Sequence, residues 1–153
     1  MDPNPDLQLS PEERAQFERD GFFVVKDALD RALVDELVPL VEQIDAEERS
    51  RNDSSPTMRM NHYDVIGKDR RLLELLDCPA TFHKVWALLG WNIALYHTHL
   101  TVNPCAAQGE TLESHGLKLG WHQDSGQLNV DLETSPRPRI SLKVGYFLSD
   151  TRE

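Results

Sequence analysis

Cysteine is scarce in this sequence. The two present, Cys78 and Cys105, supply no disulfide framework and fit reduced thiols in an intracellular compartment. Long apolar runs are also missing: none approaches the ~20 residues that a bilayer crossing needs. The opening residues, Met1-Asp2-Pro3-Asn4-Pro5-Asp6, lack the basic-then-apolar order of a secretion signal. These absences lead to the expectation of a cytoplasmic protein with no membrane partner. Basic charge is in deficit, with 16 Lys and Arg against 26 Asp and Glu and a net charge of -10. A phosphate backbone needs a basic face, so nucleic acid is not an expected partner. An anionic small molecule remains compatible, because a local basic pocket can sit in an acidic protein. No glycine pattern fits a phosphate loop or a dinucleotide fold. Ser125 and Ser141 have no evident base or oxyanion partner, which leaves a serine hydrolase unsupported.

What is present is enough chain, 153 residues, for one domain with a real core. Residues 1–9 read as a flexible lead. Ser10-Pro11-Glu12-Glu13 then carries the signature of a helix start, a capping box with proline in the first turn. Asp20-Gly21 ends that helix, and residues 22–25, Phe-Phe-Val-Val, read as a short strand. Asp30 is placed to cap a second helix in which Leu33, Leu37, Leu40, Val41 and Ile44 recur at helical spacing, with Pro39 inside it. Residues 69–76 suggest a short helix. Another starts at Pro79 and stops at Gly90, and Trp86 and Trp91 at its end read as core. The period then changes to two. Residues 93–102 and 140–148 read as strands, separated by loops. Helices first and strands afterwards predict an α+β fold with a mainly antiparallel sheet.

The most informative stretch is Gly120-Trp121-His122-Gln123-Asp124. On an extended segment, side chains at i and i+2 leave the same face, so the His122 imidazole and the Asp124 carboxylate could reach one metal ion. Two such ligands with a further histidine and open positions make the site of the non-haem Fe(II) oxygenases. The competing reading is a surface pair bonding its own loop. His97 and His99 repeat the i, i+2 pattern on a predicted strand and form a rival metal motif, acceptable to zinc. The competing reading, favoured for His97, is a polar barrel interior with both imidazoles hydrogen-bonded and metal-free. Lys143 sits in an apolar strand with Ser141 and Gly145 on its face. It is either an outward lysine or a cavity-lining cation able to attract a carboxylate.

Several segments in order carry a resemblance. Leu9-Ser10-Pro11-Glu12 with Phe17, Asp20-Gly21-Phe22-Phe23-Val24-Val25, then Trp121-His122-Gln123-Asp124, then Tyr146-Phe147-Leu148-Ser149-Asp150 together resemble the phytanoyl-CoA dioxygenase family of Fe(II)- and 2-oxoglutarate-dependent oxygenases. The resemblance spans nearly the whole chain. It implies a double-stranded β-helix, or jelly roll, with helices packed outside. Residues 10–90 would form the helical layer and residues 91–153 the first jelly-roll strands, all of it the N-terminal part of a single oxygenase domain. It implies His122 and Asp124 as metal ligands, with a second histidine and a 2-oxoglutarate-binding arginine expected beyond Glu153. Without those downstream residues the site would be incomplete and the 153 residues inactive by themselves. His99, on the strand before the motif, and His62, by its spacing, are implied to face the 2-oxoglutarate, and Lys143 is a further candidate there.

The implied activity is that of a dioxygenase, an oxidoreductase that couples oxidative decarboxylation of 2-oxoglutarate to oxidation of a small-molecule C–H bond. Its cofactor is Fe(II), its cosubstrates 2-oxoglutarate and O2, and hydroxylation is the expected outcome. An aspartate at position 124 argues against halogenation, which needs that ligand position vacant. Two other readings stay open. One is a non-catalytic binding or assembly module on the same fold. The other is a cupin-like metal protein using His97 and His99.

Overall fold

The computed structural model describes residues 8–104, 124, 126–132 and 134–150. Their architecture is α+β, with helices and a small two-stranded antiparallel sheet. Helix α1 spans Pro11–Asp20 and begins as its sequence dictates. The Glu13 N–H donates to Ser10 Oγ at 3.1 Å, and the Ser10 N–H donates to Glu13 Oε2 at 2.9 Å. Gly21 ends it at φ 80°, a left-handed conformation open to glycine at little cost. Helix α2, Arg31–Asn52, is capped by Asp30, which accepts from the Leu33 N–H at 2.7 Å. It runs through Pro39, an exposed residue, so the backbone bond lost there faces outward.

The apolar stripe of α2 builds the core. Leu37, Leu40 and Ile44 are buried with Val65 and Leu72, and Leu29, Leu33, Ile66, Leu75, Leu100 and Leu148 pack around them. Val41, expected in the same stripe, is only partly buried. Leu37 is 0% exposed, so its truncation to alanine should cost about 2–5 kcal/mol.

Strand β1, Met60–Tyr63, follows α2 and pairs antiparallel with β2, His99–Val102. Between them lie two 3-10 turns, Val65–Gly67 and Arg70–Leu75, and helix α3, Pro79–Leu89. A short helix α4, Gly126–Asp131, lies in the later part of the chain. No helix among the described residues is long and apolar enough to cross a membrane.

Several sequence expectations are corrected here. Residues 22–25 and 140–148 are not strands, and of residues 93–102 only the last four are paired. β-propensity marks residues that suit a pleated surface, and a strand forms only where a neighbour accepts its hydrogen bonds. The predicted helix at residues 69–76 is a 3-10 turn. Trp86 and Trp91 do not enter the core. Their ring centroids lie 4.1 Å apart, with Trp91 72% exposed. Among the described residues the sheet has two strands, and the expected jelly roll is not seen there. Strand β1 and helix α4 have no counterpart in the expected elements.

Residues 134–150 cross the helical layer on specific anchors. Arg139 stacks over Phe17 at 5.6 Å and pairs with Glu18 at 3.6 Å. The Tyr146 hydroxyl donates to the Leu75 carbonyl at 2.9 Å and shares a 2.6 Å hydrogen bond with Thr81 Oγ1. Burial, partly offset by the Thr81 bond, pushes the Tyr146 hydroxyl up to about 12.

Candidate functional site

The register of the two-stranded ribbon sorts the histidines. Asn61 faces Thr101, His62 faces Leu100, and Tyr63 faces His99. Cross-strand partners share a face and neighbours along a strand alternate. His62 and Leu100 therefore project toward α2 and the core, while Asn61, Tyr63, His99 and Thr101 project away from it. The burial agrees: His62 is buried, whereas Asn61, Tyr63 and His99 are exposed.

His62 is held from behind the ribbon. Its Nε2 lies 2.8 Å from Asp45 Oδ1, and the other oxygen of that carboxylate accepts from Arg49 Nε at 2.6 Å. Burial alone would raise the Asp45 carboxyl, but the hydrogen bonds and charges of Arg49 and His62 outweigh it, and the net direction is down. The same helix turn carries Glu48, which pairs with Lys68 Nζ at 2.6 Å and is lowered chiefly by that bond. One face of the ribbon cannot present both His62 and His99 to one ligand. The structure gives His62 a packing partner in α2 and leaves His99 on the open face.

On that open face, His97 and His99 lie ring over ring, with centroids 5.5 Å apart and planes within 19°. Tyr96 packs edge-on against His97 at 5.0 Å, and Tyr63 lies 6.4 Å from His99. Thr101 Oγ1 donates to Asn61 Oδ1 at 2.8 Å, extending a polar row along the same side.

Of the predicted metal pair, His122 lies outside the described residues, as does Cys105. Asp124 is described and is exposed. Lys143 Nζ makes an ion pair with Asp124 Oδ2. The sequence placed these two residues on separate segments, one as a ligand and the other as a candidate cosubstrate contact. The structure brings them together. Among the described residues no group of three or more His, Cys, Asp and Glu side chains is gathered for a metal ion.

Spacing missed two buried polar contacts. Lys84, on α3, is buried and donates to Glu13 Oε2 at 2.7 Å and to the Gln8 carbonyl at 2.9 Å. The Cys78 thiol is buried and points at the Ala28 carbonyl, 3.4 Å away. A charged residue on the apolar face of a helix is the signal that marks Lys84, since such a group is buried only when paired.

Compared with protein-family models, with curated proteins and with solved structures, the chain matches none.

Proposed function

We propose that this chain supplies the His122 and Asp124 ligands of an Fe(II)- and 2-oxoglutarate-dependent oxygenase. The reaction is hydroxylation of a C–H bond in a small molecule, with O2 as the oxidant. The observation that carries the reading is the His122-x-Asp124 pair, set in the order of segments that resembles the phytanoyl-CoA dioxygenases. Two features of the fold support it. The Asp124 carboxylate is exposed and already holds a cationic group, the Lys143 ammonium, so its chemistry and accessibility fit a cation ligand. The β1–β2 ribbon is packed by α2 on one side and polar on the other. A jelly roll with an outer helical layer and a polar interior needs a sheet of that kind.

In this reading His122 and Asp124 would hold the Fe(II). A second imidazole, later than Glu153 in the family pattern, completes the set. Iron supplies O2 activation when bound. Lys143, which pairs with Asp124 in this structure, would be free to offer its ammonium to a carboxylate of 2-oxoglutarate when Asp124 serves as a metal ligand. His99 donates a hydrogen bond to the cosubstrate or holds a water beside it. His62 steadies the ribbon from behind, through Asp45.

The test is succinate formation from 2-oxoglutarate with Fe(II) and O2, using the protein with whatever sequence follows Glu153 in its reading frame. Succinate should form with the native sequence and fall to background in His122→Ala and Asp124→Ala. Turnover that survives both substitutions would remove the reading.

A further inference from the structure

The open face of the ribbon carries a pair of imidazoles that the oxygenase reading does not use as ligands to a metal. We infer that His97 and His99 form a separate, labile site for a borderline divalent transition metal such as Zn2+ or Ni2+. Both rings are exposed, His99 at the first position of β2 and His97 two residues before it. With metal–nitrogen bonds of about 2.0–2.1 Å, two imidazoles on one tetrahedral ion hold their ring centroids about 5 Å apart. The observed separation is 5.5 Å.

The separation therefore suits one ion, and the ring orientations are what must change. The χ2 torsion of histidine is soft, and neither ring is buried, so turning the nitrogens toward a common point breaks no packed contact of the core. A metal ion lies in the plane of each imidazole that binds it, so the stacked rings, with planes within 19° of each other, must each turn before both nitrogens meet one ion. The Thr101–Asn61 hydrogen bond and the β1 pairing hold the backbone under His99 in place.

The donor chemistry sets the class of ion. Imidazole nitrogens suit Zn, Ni and Cu, whereas Ca2+ and Mg2+ require oxygen ligands. Two protein ligands leave at least two positions on the ion to water, or to an oxygen or nitrogen donor of a small molecule arriving at the open face. The ligands are separate from His122 and Asp124, so the site is tested apart from the iron proposal, although His99 bound to this ion does not serve the 2-oxoglutarate at the same time.

The experiment is titration of the full chain with Zn2+ and, separately, Ni2+, following heat and the imidazole NMR signals. One ion per chain should bind with the His97 and His99 signals perturbed first. Loss of an outer-shell partner alone typically costs about 10–100-fold in metal affinity, so His97→Ala and His99→Ala should each weaken binding at least about tenfold. The His122→Ala/Asp124→Ala double variant should keep this binding, and Ca2+ should not compete. Far-UV circular dichroism checks that each variant folds, and His99→Gln gives a second, conservative test of the same ligand. Binding unchanged in the His97 and His99 variants, binding lost only with His122 and Asp124, or no binding at all would each overturn the inference. In the second of those outcomes the iron proposal survives; in the first and third it is judged by succinate formation instead.

Discussion

His62 Nε2 and Asp45 Oδ1 sit 2.8 Å apart, joining the inner face of β1 to the middle of α2. This contact fixes which side of the ribbon faces the core, and so which histidine remains available for chemistry. His62→Ala should leave the Asp45 carboxylate with Arg49 alone and open a void behind the strand. We expect a loss of about 2–4 kcal/mol, in the range for a broken buried pair with a lost core side chain, measured by urea denaturation. His99→Ala should leave stability within about 0.5 kcal/mol, as for an exposed site. Equal destabilisation by the two would contradict the assignment of faces.

Lys84 and Glu13 tie α3 to the N-terminus of α1, with 2.7 Å between charges and the lysine side chain 8% exposed. Removing the carboxylate should cost more than removing both charges. Glu13→Ala also breaks the capping box and strands the Lys84 ammonium. A Glu13→Gln/Lys84→Met protein, which keeps a capping side chain and the lysine's volume, should recover most of that loss. Chemical denaturation of the two variants beside the native chain decides the point, and a double variant weaker than Glu13→Ala would contradict it.

Acid should weaken the fold in a defined window. The Asp69 carboxyl is drawn from 3.8 down to about 2 by hydrogen bonds from the Arg71 side chain and backbone. Asp45 is lowered by Arg49 and His62, against its burial. A carboxyl lowered in the folded state stabilises the fold above its unfolded value, and that stability is lost as pH falls through the folded value. Stability measured by urea titration should therefore decline between about pH 4 and pH 2. In Asp69→Asn the decline should be shallower, because one of the groups that drives it is gone. An unchanged slope would mean that the Asp69–Arg71 contact does not persist in solution.

The way residues 134–150 lie on the helices depends on Tyr146. Tyr146→Phe removes the donor to the Leu75 carbonyl and the partner of Thr81, at a cost of about 1–3 kcal/mol for the groups left unsatisfied. Amide exchange at residues 140–148 should rise in that variant. In the native chain one tyrosine should ionise only at about pH 12, and Tyr146→Phe should remove it. Because the folded value lies above the unfolded one, the stabilisation is present below about pH 10 and is lost as pH rises through about 12.

The parts of the fold legible in the sequence were those set by neighbours along the chain. Ser10 with Glu13, Asp30 before its apolar stripe, and Pro79 with Gly90 are local signals, and each became a local feature of the helix it marks. Strands depend on distant partners, and there the reading was poorer. Residues 140–148 have the composition of a strand but no ladder, whereas Met60–Tyr63 carries a polar Asn-His pair and forms one. The same limit applies to the site. The shared side of His97 and His99 followed from alternation. The approach of Lys143 to Asp124, or of His62 to Asp45, depends on how separate elements pack, and no spacing rule contains it.

The most direct measurement is the visible charge-transfer absorption of Fe(II) with 2-oxoglutarate, recorded without oxygen on the full-length protein. A band should appear only with both Fe(II) and 2-oxoglutarate. It should vanish in His122→Ala and Asp124→Ala, weaken in Lys143→Ala, and persist in the His97→Ala variant. A band that ignores His122 and Asp124, or that depends on His97 instead, would contradict the assignment of the iron ligands.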